Sequence, residues 1–108
     1  MKNAKVTNVF RELHCKEFGK VGVVSNEKTG EGYVSANDLC RILELSAKDV
    51  FPKLSNHLYT VILEDGGEKL QKIPFVDESG LYMMFLLSKK EDAIRFQDWL
   101  YKEYLQAL

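Results

Sequence analysis

Cysteine is scarce in this chain of 108 residues: only Cys15 and Cys40 occur, and neither belongs to a CxxC pair. That excludes a disulfide scaffold and fits a reduced compartment. Long apolar runs are missing too. The longest, Leu81 to Leu87, falls far short of the roughly 20 residues that cross a bilayer. Met1 to Phe10 mixes polar and apolar residues without an apolar core, so it is no signal peptide. The expectation is a cytoplasmic protein that does not engage a membrane. No sign of charge dominates either: 15 basic and 16 acidic side chains leave a net charge of −1, a poor match to a uniformly basic nucleic-acid binder. Any contact with DNA must be local. Up to Leu54 there are nine Lys or Arg against seven Asp or Glu, a balance of +2, and from Ser55 onward six against nine, a balance of −3.

What is present describes a folded domain. Hydrophobic residues make up 45% and charged residues 29% of the chain, more apolar than a disordered segment. The length allows one core. Six Phe, five Tyr and one Trp supply the large side chains that so small a core depends on.

The first third reads as strands. Val6 to Leu13 and Lys20 to Val24 are rich in β-branched and aromatic residues, Asn26 to Gly32 reads as a loop, and Tyr33 and Val34 as a short return strand. The period then changes. Ser35 is a good N-cap, with Asp38 three positions on and Leu39, Ile42 and Leu43 at helical spacing, which predicts a helix over Ala36 to Glu44. Ser46 offers a cap to a second short helix over Ala47 to Leu54, interrupted or kinked by Pro52. Tyr59 to Leu63 and Leu70 to Val76 read as a hairpin about Asp65-Gly66-Gly67, with Pro74 pointing to an edge position or a bulge.

Asp77 is placed to cap a helix over Glu78 to Leu87, ended by Ser88. A last helix runs from near Lys90 to about Gln106. Its apolar stripe is Ala93, Phe96, Leu100 and Tyr104, and Glu91 with Arg95 and Asp98 with Lys102 are acid-then-base pairs four apart. The sum is one α+β domain over residues 1–108, a small antiparallel sheet with β-hairpins covered by three to four helices.

Two blocks of sequence resemble a known family. Gly32-Tyr33-Val34-Ser35-Ala36-Asn37-Asp38-Leu39-Cys40-Arg41-Ile42-Leu43-Glu44-Leu45-Ser46 is similar to the opening of a Bro-N domain, the N-terminal module of phage antirepressors and of baculovirus BRO proteins. Phe75-Val76-Asp77-Glu78-Ser79-Gly80-Leu81-Tyr82, followed by Leu86, Ser88-Lys89-Lys90, Ala93, Phe96, Trp99 and Glu103, resembles that family's second signature. The resemblance covers about Val6 to Leu108. It implies a non-enzymatic regulatory module of a phage or prophage, acting in transcription regulation by binding DNA or a repressor.

Other chemistry finds little support. Ser79 beside Gly80 lacks the G-x-S-x-G turn of a nucleophile, and no base is placed beside it, so no catalytic residue and no small-molecule substrate are expected. Gly80 reads instead as a point where the helix start lies close to the preceding strand. His14, Cys15, Cys40 and His57 lack the paired spacing of a zinc site. No metal or other cofactor is expected, and Cys40 reads as a small packing residue. Trp99, with Phe96 and Tyr104, could stack bases, but helical spacing makes it the largest contributor to the core.

The candidate contact residues are therefore Lys48, Lys53, Asn56 and His57 of the second helix and its exit, with Lys89 and Lys90 before the last helix. Brought to one face they form a phosphate-binding patch on duplex DNA, with Asn56 able to reach a base edge. The plain alternative is that they are simply solvated. A protein partner, either a repressor or another copy of the chain in a homo-oligomer, is the competing function, supported by Tyr101, Tyr104, Leu105 and Leu108 near the C-terminus.

Overall fold

A computed structural model of the chain describes residues 2–4, 8–26, 28–64 and 70–103. Its strands are β1 (Lys2–Ala4), β2 (Asn8–Cys15), β3 (Gly19–Asn26), β4 (Gly32–Ser35), β5 (Leu58–Glu64) and β6 (Leu70–Val76). Its helices are α1 (Ala36–Leu43), α2 (Ala47–Leu54), α3 (Glu78–Leu87) and α4 (Ala93–Glu103), with a single 3₁₀ turn over Ser55–His57 between α2 and β5. The strands form one sheet in the order β1-β5-β6-β4-β3-β2. Five of them pair antiparallel, and β1 adds to β5 in parallel. The α+β reading with one antiparallel sheet and covering helices holds.

Alternation along the strands divides the buried residues between two faces. On the helical side Val21, Val23, Val34, Leu58 and Val76 pack with Leu39, Leu43, Leu54, Leu81, Met84, Phe96 and Leu100. On the other side Val24, Tyr33, Val61 and Phe75 make a smaller cluster, with Tyr59 and Ile73 against it. The two tyrosine rings lie 5.0 Å apart over this cluster. No helix among the described residues is long and apolar enough to cross a membrane.

Several boundaries move for identifiable reasons. β2 begins at Asn8 and runs on to Cys15, because its register against β3 continues to Cys15↔Gly19; residues 6 and 7 lie outside the described residues. β1 has no counterpart in the sequence reading, since three residues carry too little pattern to be seen. Glu44 is the C-cap of α1 rather than its last turn, left-handed at φ 56°. β6 is an interior strand, but its pairing with β4 stops at Phe75 and Val76, so Pro74 faces a strand on the β5 side only. A proline is tolerated there because the β4 side has no ladder to break. The 65–67 turn lies outside the described residues.

α4 starts at Ala93, three residues later than expected, after a turn over Glu91 and Asp92 in which the Ala93 N–H donates to the Lys90 carbonyl at 3.1 Å. Arg95 then pairs with Asp92 at 2.6 Å and with Glu17 at 2.5 Å rather than with Glu91. Trp99 also differs from expectation. It is only partly buried, stacked on the edge of the core against Phe96 at 6.0 Å, and the fully buried ring is Phe96 itself. Tyr104, the last residue of the expected stripe, lies outside the described residues.

Two glycines have steric reasons to be there. A Cβ on Gly80 would stand 2.9 Å from the Val76 Cβ and 3.1 Å from both the Cβ and the carbonyl oxygen of His57. The first turn of α3 therefore sits on β6 and on the 3₁₀ turn as closely as the sequence implied. A Cβ on Gly22 would press the Phe10 ring at 3.2 Å.

Candidate nucleic-acid interface

The caps of α1 and α3 assemble the region around the candidate residues. Ser35 accepts a hydrogen bond from the Asp38 N–H at 3.3 Å, as its position predicts. The Asp38 carboxylate turns away from that cap and accepts from the Gly22 N–H of β3 at 2.8 Å, which ties the helix to the sheet. Arg41 donates to the carbonyls of Phe18 at 3.2 Å and Lys20 at 2.6 Å, fixing the β2–β3 turn against α1.

At the other end of α1 the last carbonyls are satisfied by the segment between α3 and α4. The Ser88 hydroxyl donates to the Leu43 carbonyl at 3.0 Å, and the Lys90 ammonium donates to the Ile42 carbonyl at 3.1 Å. Lys90 also lies 3.9 Å from the exposed Glu44 carboxylate and 5.9 Å from the centre of the Phe18 ring. A cation at a helix C-terminus is favoured by the dipole as well as by the hydrogen bond. Two adjacent lysines therefore divide their roles: Lys90 closes α1, and Lys89 is exposed to solvent.

Lys48 and Lys53 are exposed on α2, which packs against both α1 and α3, and Asn56 is exposed in the 3₁₀ turn. Asp49 shares the exposed side of α2 with them. His57 is half-buried, its Nδ1 3.1 Å from Asp77 Oδ2. The same oxygen accepts from the Tyr59 hydroxyl at 3.0 Å, and the second oxygen of Asp77 accepts from the Gly80 N–H at 2.8 Å. One carboxylate thus caps α3 and fixes the orientation of His57 and Tyr59.

Beside this carboxylate is a cleft of about 370 Å³ between the 29–34 segment and the start of α3, lined among others by Glu31, Tyr33, Tyr59, Asp77, Glu78 and Ser79. Its lining holds three carboxylates and no basic side chain, so it repels phosphate. The Tyr33 hydroxyl donates to Glu31 at 2.9 Å. Burial, and then the hydrogen bond to Glu31, push its phenol well above the usual tyrosine range. Burial and the bond to Asp77 raise Tyr59 in the same direction. Burial likewise raises the Cys40 thiol, the mark of a packing residue.

The family model of the BRO family N-terminal domain, Bro-N, matches residues 20–106. The chain belongs to this family. No curated protein and no solved structure matches it. The match spans both blocks that resembled Bro-N in the sequence, and membership suggests a regulatory module of DNA-binding type, from a family not known as catalytic. The geometry gives the second Bro-N block a physical meaning: Asp77 and Gly80 start α3 on the sheet, and the Ser88-Lys89-Lys90 connector closes α1.

Sequence reasoning missed the acidic, tyrosine-lined cleft, because its residues are scattered from Thr29 to Leu81 in the chain. It also missed an apolar surface on α3 and α4. Tyr82 is 44% exposed, Leu86 86% and Ile94 69%. A signal was available in the run Leu81 to Leu87, which is apolar on every side of a helix that the core covers on one side only.

Proposed function

We propose that this Bro-N domain is a non-enzymatic DNA-binding regulator of the phage antirepressor or BRO type, holding duplex phosphates through Lys48, Lys53 and Lys89. Family membership carries this reading. It is supported by the exposure of those three lysines and of Asn56, and by the packing of α2 against α3 in one helical layer. Asn56 reaches a base edge from the 3₁₀ turn, with His57 beside it. Lys90 adds its charge to the patch while its hydrogen bond keeps α1 closed. The acidic cleft faces away from phosphate on this reading.

The test is fluorescence anisotropy with labelled duplexes at two salt concentrations. Three phosphate contacts give a log–log salt slope of roughly −2.7, a loss of roughly 40-fold in affinity between about 50 and about 200 mM salt. Absence of binding to any duplex at low salt, with the protein folded, overturns the reading.

A second reading has its own support: a protein-interaction module that binds a repressor or another copy of itself. The exposed Tyr82, Leu86 and Ile94 favour it, because apolar surface of that kind marks partner sites.

A further inference from the structure

The cleft between the 29–34 segment and the start of α3 has fixed walls. On one side the Asn26 N–H donates to the Glu31 carbonyl and the Gly30 N–H to the Asn26 carbonyl, each at 2.8 Å, and the Asn26 side-chain oxygen accepts from the Lys28 N–H at 2.9 Å. The loop that carries Glu31 is thus tied to itself. On the other side Asp77 caps α3 through the Gly80 N–H at 2.8 Å, and Gly80 lies close against Val76 and His57. Between the walls Tyr33 is buried and Tyr59 half-buried, their rings 5.0 Å apart. The space of about 370 Å³ is therefore formed before any ligand arrives, and it is of the size that small organic groups occupy.

Charge in this space is unbalanced. Among the described residues Glu31 and Glu78 pair with no Lys or Arg, whereas Glu17, Asp38, Glu44 and Asp92 each do so elsewhere. Both oxygens of Asp77 are engaged by Gly80, Tyr59 and His57. Glu31 accepts from the Tyr33 hydroxyl at Oε2, which leaves its Oε1 for a ligand. The N-terminus of α3 opposes these acids with roughly half a positive charge, too little to reverse three carboxylates. The phenols feel the resulting field: after burial, the largest cause, Glu31 and Asp77 both act to keep the protons on Tyr33 and Tyr59. The rings stay neutral, and a neutral ring attracts a cation to its face.

A metal ion needs several ligands converging on one point, and among the described residues no group of three His, Cys, Asp or Glu side chains does so. A flat organic cation needs only a carboxylate edge and a ring. We infer that the cleft binds a guanidinium group, with Glu31 Oε1 accepting from its N–H edge, the Tyr59 ring under its flat face and Glu78 adding negative charge at the start of α3. An ammonium satisfies the carboxylate as a point charge and makes less use of the ring. The guanidinium comes either on a free small molecule or as an arginine side chain of another protein, and both present the same donors.

The inference is independent of DNA binding and is measured without DNA, by amide NMR on the full chain. Methylguanidinium and N-acetyl-arginine amide are each expected to shift the amides of Gly30, Gly32 and Gly80 saturably, with Kd of about 1 mM for so few ligand atoms. Binding of the blocked arginine at least as tight as methylguanidinium assigns the cleft to a side chain; binding of methylguanidinium alone assigns it to a small molecule. Glu31→Gln weakens either ligand by roughly three- to tenfold, the loss of one charge-assisted bond in a half-open site. Its melting temperature stays unchanged, because Glu31 is exposed and the new amide oxygen still accepts from Tyr33. Asp98→Asn, an exposed acid on α4, leaves binding as it was. Tetramethylammonium, which has the charge and no N–H, binds at least about fivefold more weakly, and inorganic phosphate leaves the three glycines unshifted. No saturable shift from methylguanidinium up to roughly 50 mM overturns the inference, as does full binding by Glu31→Gln, equal binding of tetramethylammonium or a phosphate response at the same amides. Loss of duplex binding in the anisotropy experiment leaves these shifts in place, since none of the DNA-contact lysines lines the cleft.

Discussion

Asp77 links three parts of the chain, accepting hydrogen bonds from Gly80, Tyr59 and His57. Three tyrosines depart most from their behaviour in water, Tyr33 and Tyr59 around this carboxylate and Tyr101 on α4 beside Tyr82. Tyr33 and Tyr101 are displaced upward chiefly by burial, and Tyr59 in the same sense. A phenol whose folded pKa lies above its unfolded value stabilises the fold while both states are protonated. That stabilisation is complete below the ordinary tyrosine value of 10.0 and is lost as pH climbs beyond it. Stability should therefore fall above pH 10, and absorbance titration should show these three phenols ionising only as the protein unfolds. Tyr33→Phe should leave a smaller late fraction. Burial also ranks the aromatic core. Phe96→Ala should cost about 3–5 kcal/mol in chemical denaturation, because its ring is fully enclosed. Trp99→Ala should cost less, since that ring is only partly buried at the edge of the core.

At the scale of elements, the caps decide how the helices meet the sheet. Ser35 and Asp77 start α1 and α3, while the closing of α1 depends on Ser88 and Lys90 from a connector over forty residues away. Lys89 and Lys90 should therefore separate cleanly by mutation. Lys90→Ala should lower stability by about 1–2 kcal/mol, from a lost charge-assisted hydrogen bond at a helix C-terminus. Lys89→Ala should leave the melting temperature unchanged and lower duplex affinity instead. Equal effects of the two on stability would deny the division of roles. Sequence spacing correctly located α1, α2, α3 and most strands, because amphipathic period and cap residues are local properties. The start of α4 moved because Glu91 and Asp92 form a turn whose acid pairs with Arg95, and β1 was invisible because its pairing with β5 is entirely non-local.

For the whole molecule, near-neutral charge makes position more important than total. Removing Lys48, Lys53 and Lys89 together changes the net charge by only three, yet it should abolish the salt-dependent part of duplex binding. Removal of an equal number of lysines elsewhere, such as Lys16, Lys28 and Lys72, should have far less effect.

The linear chain by itself determined the α+β class, the cap at Ser35, the cap at Asp77, the tight approach at Gly80 and the membership in Bro-N. Each of these is written within a few neighbouring residues, where helical period, turn chemistry and the absence of a Cβ act. Tertiary structure alone decided which of two adjacent lysines is free, how three carboxylates and two tyrosines meet in one cleft, and that Leu86 stands in water. Those outcomes depend on contacts between distant segments, and hydrogen bonding and burial across such distances leave no periodic trace in the order of residues.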